Sequence, residues 1–270
     1  MALVSSGKNE KKDQKFDDNE ESSNFSNIAF VRLVAKGKTF TRVDFRYTLF
    51  DACYLRDCRF DSCDFTGCRF VNTSLQGSKF AGCKFDYASF ERTLIDANVL
   101  DTECPGHENL KSRFARSLRV NFQQLGDAVG ANKAMKVELS ATSIHLQKAA
   151  WSNERYYRLH YRGWQRLRIA AEWFEFRTLD FIWGNGESIW RLLRFVLIVL
   201  GLMTLVDVTQ NDDPRLVSSY LYGFVKSFAV FFGAVSPTNY WPSAIATIIC
   251  VRLVTVGFFL SIIIKKFNRR

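Results

Sequence analysis

FTRVDFRYTLFDACYLRDCRFDSCDFTGCRFVNTSLQGSKFAGCKFDYASFERTLIDANVL, residues 40–100, places a large apolar side chain at every fifth position. The series is Phe40, Phe45, Phe50, Leu55, Phe60, Phe65, Phe70, Leu75, Phe80, Phe85, Phe90, Ile95 and Leu100, thirteen positions without a break. Two residues before most of them stands a small side chain: Thr48, Cys53, Cys58, Cys63, Cys68, Thr73, Ser78, Cys83, Ala88 and Thr93. A period of five fits neither the 3.6 residues of a helix nor the 2 of a strand. The segment is therefore an internal repeat rather than a run of ordinary elements.

This pattern resembles the pentapeptide-repeat family, whose chains coil as a right-handed quadrilateral β-helix. The resemblance implies that the large residue and the small one before it point into the coil while the other three face out. Four repeats make one square turn, so these 61 residues amount to about three coils. Five of the seven cysteines fall in the small inward position, where Cys packs as a compact hydrophobe. Cys53, Cys58, Cys63 and Cys68 could instead ring one coil as a metal or redox cluster, but Thr, Ser and Ala at the same position argue against soft-metal ligation. Some members of the family mimic DNA through an acidic surface. Eight basic and eight acidic residues between 40 and 100 leave no net field of that sign. A stacked solenoid needs caps, and residues 25–38 and the break at Pro105-Gly106 are the candidates.

Working outward, residues 1–24 are polar, mixed in charge and without an apolar h-region, which predicts a disordered cytoplasmic tail rather than a signal peptide. The secreted, disulfide-built class is thereby excluded. The three histidines, His107, His145 and His160, are scattered in sequence and suggest no metal cage. A Gly-rich phosphate loop, a Gly-x-Ser-x-Gly elbow, a His-Glu zinc helix and a Cys-x-x-Cys pair are all missing, so neither an enzyme nor a cofactor is expected.

From Glu108 the apolar spacing becomes helical. Phe114, Leu118, Phe122 and Leu125 share one face, and Ala134, Val137, Ser140 and Ile144 continue the pattern beyond Gly126-Asp127. Residues 151–177 interleave arginines with Trp and Tyr, and residues 108–194 carry fifteen Lys plus Arg against eight Asp plus Glu. Such a stretch suits RNA by phosphate contact and stacking, or a membrane surface with anionic headgroups. Because it runs directly into hydrophobic segments, the bilayer is the expected partner and nucleic acid is not.

Residues 189–208 have an uncharged core at 195–206, shorter than the roughly 20 residues of a spanning helix; Arg191 and Arg194 can extend it by snorkelling. Residues 227–251 then carry no charge, but Gly233, Pro237 and Pro242 break them. They divide into a half-helix at 219–232, an irregular turn at 233–241 and a second span at 242–264. Basic residues flank both spans on one side, which the positive-inside rule assigns to the cytoplasm, with both termini there. Irregular backbone at membrane depth survives only where protein or water covers it. Span, half-helix and loop, span is the plan of tetrameric two-span channels.

The order of parts is similar to a bacterial family of pentapeptide-repeat proteins with a C-terminal two-span ion-channel domain. The residues that carry the likeness are the repeat itself, Leu125-Gly126-Asp127 with Ala131 and Ala134, Trp183-Gly184-Asn185-Gly186-Glu187 before Trp190-Arg191, residues 220–232, and 257–266. The expected architecture is mixed: tail 1–24, pentapeptide-repeat β-helix 25–104, basic amphipathic helical linker 105–188, and an α-helical channel-like domain 189–270 with a re-entrant segment at 219–241. The resemblance implies a homo-oligomeric, tetrameric inner-membrane channel for permeant ions, with a sensing or assembly solenoid open to a cytosolic protein partner. Trp183, Gly184 and Gly186 would form the hinge, and Phe231, Phe232, Gly233, Ala234, Val235 and Ser236 the filter. Potassium filters read Thr-Val-Gly-Tyr-Gly; here one glycine is kept at Gly233 and Val235 replaces the second, against the unusual backbone such filters need. Potassium selectivity is therefore not expected. Arg252, midway along the second span, would line the path and Gly257 would bend it, unless Arg252 pairs with a neighbouring carbonyl or carboxylate. A membrane-anchored scaffold and a signal-opened disruptive pore are the alternatives.

Overall fold

The computed structural model describes residues 8–211, 213–235 and 240–267. The chain divides into two compact units, residues 1–170 and 171–270.

In the first unit nine short strands, β1 (Asn9–Lys12), β2 (Glu20–Glu21), β3 (Ile28–Val31), β4 (Thr39–Thr41), β5 (Leu49–Asp51), β6 (Arg59–Asp61), β7 (Arg69–Val71), β8 (Lys79–Ala81) and β9 (Ser89–Glu91), wind into a parallel solenoid. Odd strands form one sheet and even strands another. Every pairing from β3 onward joins residues twenty apart, such as Phe30 with Phe50, Phe50 with Phe70 and Phe40 with Phe60. Twenty residues are four repeats, hence one square coil. Bridges along Val34, Tyr54, Ser74 and Leu94, and along Asp44, Asp64 and Lys84, make the remaining two faces.

The register follows from the side chains. Phe50 and Phe70 stack at 4.9 Å and 3°, Phe45 and Phe65 at 5.2 Å and 5°, and Phe40 and Phe60 at 5.0 Å and 10°. A slip by one residue would turn each ring outward. The small inward position is a donor slot: Thr73 Oγ1 donates to the Phe50 carbonyl at 3.1 Å, Ser78 Oγ to that of Leu55 at 2.6 Å, and Cys53 Sγ to that of Phe30 at 3.4 Å. Thr, Ser and Cys are interchangeable there because each brings one short donor to the coil beneath. Burial pushes the Cys53 thiol up to about 12 and raises that of Cys68 as well, so these thiols are packing groups rather than nucleophiles. At the corners, Arg42, Tyr47, Ala52, Asp57, Ser62, Asn72, Tyr87 and Arg92 all have φ between 46° and 59°. None is β-branched, the class that resists left-handed backbone most.

The first coil corrects two expectations. Part of the 1–24 stretch, expected to be disordered, belongs to the solenoid: β1 pairs with β3 and β2 with β4. Residues 25–38, expected as a cap, are an ordinary coil. The ladder needs only backbone amides, so charged side chains do not prevent it. Phe16 closes the mouth instead, packing edge-on against Phe25, Phe30 and Phe40 at 5.4–6.1 Å. Asp13 also accepts two hydrogen bonds from Arg32, at 2.6 Å each.

The other end is closed by helices, not by Pro105-Gly106. After α1 (Val99–Thr102), which contains Leu100 of the repeat, α2 (Glu108–Gln124) lays Phe114 against Phe85 and Phe90 at 5.5 and 5.9 Å. Its polar side chains complete the open edge of the last coil. Ser117 Oγ accepts from the Phe90 amide at 2.9 Å, Asn121 Oδ1 from the Thr93 amide at 2.7 Å and Gln124 Oε1 from the Arg92 amide at 3.1 Å. Asn121 Nδ2 returns a bond to the Thr93 carbonyl at 2.8 Å. Helix α3 (Ala128–Trp151), capped by Asp127, packs on α2 through Ala131, Ala134 and Ala141. Its Glu138 carboxylate takes Arg116 at 2.8 Å and Arg119 at 2.7 Å. Helix α4 (Arg155–His160) follows, and then α5 (Trp164–Trp183).

The second unit holds α6 (Ile189–Asn211), α7 (Val217–Phe232) and α8 (Pro242–Phe267). Both α6 and α8 are long and apolar enough to cross a membrane, with mean hydropathies of 2.2 and 2.4 over their most apolar stretch. They run past the expected ends at 208 and 264, and α7 starts at 217 rather than 219. Only 11% of the apolar stretch of α8 is buried within the chain, unlike the core helix of a water-soluble domain.

Candidate functional site

Three constellations occupy the second unit. The first is the turn after α5. Gly184, Asn185 and Gly186 take consecutive left-handed conformations, with φ of 66°, 51° and 85°. A side chain at Gly184 would meet Ser188 at 3.1 Å and Arg191 at 3.2 Å. This tight reversal sets both of its ends against α8. Trp183 stacks on Phe258 at 4.1 Å and 13°, and Glu187 forms an ion pair with Lys265. The Arg191 Nη1 donates to the Asp180 carbonyl at 3.0 Å and pairs with its carboxylate, while Arg194 Nη2 donates to the Phe181 carbonyl at 2.9 Å. The expected hinge residues thus join the end of α5 to the start of α6 and the last turns of α8.

The second is the end of α7. Phe231 is buried with Val230 against Leu200 and Met203 of α6, and Ile248 and Val251 of α8 pack on them. Phe232, Ala234 and Val235 are exposed in the single chain. Ser236 lies outside the described residues. Gly233 caps the helix in the left-handed conformation at φ 80°. A β-carbon there would collide with Arg252 Nη1, so the guanidinium is tucked beside the cap. Arg252 and Gly233 line a cavity of about 180 Å³ with Val230, Val235, Ile245, Ile248 and Ile249. A helix C-terminus carries a partial negative charge, which Arg252 complements. Gly257 faces open space within an unbroken α8.

The third was not singled out from the sequence. Asp207, just past the uncharged core of the expected first span, is inside α6 and 1% exposed. Its carboxylate accepts from Lys226 Nζ on α7 at 2.8 and 2.9 Å and from Asn211 Nδ2 at 2.8 Å. One turn nearer the middle of α6, Thr204 Oγ1 donates to Ser227 Oγ at 3.3 Å. The signal available was one acidic and one basic residue, each beside a long apolar run. Only helix pairing brings them into contact.

The three histidines, far apart in sequence, each pack on tyrosine rings. His107 and His160 both pack on Tyr156, at 5.7 and 4.4 Å, while His145 lies between Tyr157 and Tyr161 at 5.7 and 6.1 Å. Among the described residues no group of three His, Cys, Asp or Glu is arranged to hold a metal ion.

Comparison with known proteins finds no match among the curated proteins. Among solved structures, a trypsin-treated variant of QnrB1, a plasmid-mediated fluoroquinolone resistance protein, is 20% identical over 32% of this chain, with a TM-score of 0.19. The chain spans 62% of that protein's length. Residues 35–100 match the family model of the pentapeptide repeat region. With its five-residue period and twenty-residue parallel register, the first unit contains a pentapeptide-repeat β-solenoid.

Proposed function

We propose that the chain is a subunit of an oligomeric membrane channel, expected to be a tetramer in the cytoplasmic membrane, whose solenoid senses a cytosolic partner or directs assembly. The observation that carries this reading is α7. Its sixteen residues rise about 24 Å, short of the roughly 30 Å of a hydrocarbon core. It nonetheless packs Val230 and Phe231 against both long helices and ends in a left-handed glycine. A half-helix followed by irregular backbone is tolerated at membrane depth where it lines a path or is covered by protein. Two spans cannot enclose a path by themselves, and the uncovered apolar surface of α8 leaves room for further copies of the chain.

The placement of Arg252 bears on selectivity. In many ion pathways the C-terminal ends of half-helices help hold a cation. Here a guanidinium belonging to the protein stands beside that end. A pore built this way disfavours cations, and the conducted species are expected to be anions or ions with little charge selection. The turn from Gly184 to Gly186 couples α5 to α8, so a movement of the cytosolic helices would reach the lining helix directly.

Flux through the purified protein in liposomes under asymmetric KCl tests the proposal. The expected result is a current whose reversal potential lies toward that of chloride, shifted toward that of potassium in Arg252→Glu. No current from the full chain or from a chain beginning at residue 171 would overturn the channel and leave a membrane-anchored scaffold.

A further inference from the structure

A cleft of about 560 Å³ opens between the last turns of α5 and the first turns of α6. Its charged lining is Arg177, Arg191 and Arg194 against the single carboxylate of Asp180. We propose that this cleft binds the phosphate of an anionic lipid headgroup. The inference rests on the reading of α6 as membrane-spanning.

Two of the arginines are already oriented. Arg191 is held by the carbonyl and carboxylate of Asp180, and Arg194 by the Phe181 carbonyl, with its guanidinium 4.8 Å from the centre of the Phe181 ring. Among the described residues Arg177 has no hydrogen-bond or ion-pair partner, and its charge is uncompensated. Orienting the forks beforehand lowers the cost of ligand binding, and a planar guanidinium matches the oxygens of a phosphate. The excess of two positive charges in the lining selects an anion.

The remaining wall selects the source of the phosphate. Trp173, Phe174 and Phe181 line the cleft beside the arginines. Arg191 and Arg194 stand immediately before the uncharged run that begins at Phe195, which sets the cleft at the level where headgroups meet acyl chains. The volume exceeds what a free phosphate would fill and suits a headgroup with its glycerol.

The test is calorimetric titration of the full chain in detergent with dioctanoyl phosphatidylglycerol, alongside the phosphatidylcholine analogue and inorganic phosphate. Saturable binding of the glycerol lipid is expected, with little binding of the choline lipid and no displacement by millimolar inorganic phosphate. Arg177→Gln should weaken it roughly fivefold, following the ~1 kcal/mol per basic side chain near an anionic surface. Because Arg177 has no bonds to lose, the variant should keep the elution profile of the parent. Equal affinity in parent and variant would overturn the proposal, and displacement by inorganic phosphate would assign the cleft to the soluble ion instead. Alkaline carbonate extraction separates the two readings. Release of the full chain from membranes would overturn the spanning of α6 itself. Retention with binding that ignores Arg177→Gln would overturn the cleft alone.

Discussion

Asp207 and Lys226 show how much a single contact carries in an apolar setting. The buried Asp207 carboxylate is tolerable in α6 because Lys226 Nζ lies 2.8 Å away, and Asn211 supplies a further donor to it. Breaking a fully buried pair costs about 3–5 kcal/mol, and less is expected here because the Lys226 side chain is one-third exposed. Asp207→Asn should therefore lower the thermal midpoint in detergent and free α7 from α6. Asp207→Asn combined with Lys226→Met should recover much of the loss; equal destabilisation in single and double variants would show that the pair is not the tie. Arg252 differs in kind, because its neighbour is the backbone at the end of α7 rather than a carboxylate. Its reading as path-lining came from a lone charge in an apolar run, whereas its place beside Gly233 depends on how α7 and α8 cross.

At the scale of elements, the boundary between solenoid and helices is made by side chains that imitate a strand. Ser117, Asn121 and Gln124, spaced along one face of α2, meet the amides of Phe90, Thr93 and Arg92 where the next coil over β9 would have paired. An uncapped sheet end exposes such groups to pairing with other chains. Asn121→Ala leaves both the amide and the carbonyl of Thr93 unmatched in a buried position, at about 1–3 kcal/mol. Hydrogen exchange should then rise at residues 89–94 before the earlier coils; unchanged protection there would place the cap elsewhere. The α3–α4 junction adds a pH response. Burial holds the His145 imidazole below its ordinary value of 6.5, with Glu108 opposing and Tyr157 and Tyr161 packed alongside. The unfolded chain therefore binds the proton more readily than the folded one, and stability falls as pH drops from about 6.5 through the lowered value. A stability profile across that window should flatten in His145→Gln, and an unaltered slope would assign the response to other groups.

Across the whole molecule, charge and apolar surface are segregated along the chain. The repeats from 40 to 100 balance eight basic and eight acidic residues, residues 108–194 carry an excess of seven positive charges, and residues 227–251 carry none. That order sets the polar repeats and the basic helices apart in sequence from the two helices long and apolar enough to cross a membrane. The solenoid itself owes little to this segregation: its strength lies in rings stacked coil on coil at about 5 Å.

Periodicity is a one-dimensional property, so the sequence alone determined the five-residue solenoid, the inward position of its cysteines, the amphipathic face of α2, and the two apolar helices with a shorter one between them. The face expected on α3 is turned, with Ser140 and Ile144 exposed and Glu138 and Ala141 buried against α2 instead. The sequence misjudged residues 8–24, because composition weighs side chains while the β1 and β3 ladder is made by amides. It also placed the cap at a Pro-Gly break, because side chains that complete a sheet end have no pattern of their own. The Asp207–Lys226 pair, the seat of Arg252 beside Gly233, the gathering of His107, His145 and His160 around tyrosines and the arginine cleft beside α6 were all decided by tertiary structure. In each case residues up to tens of positions apart meet because helices pack at particular crossings, and no local spacing along the chain encodes that meeting.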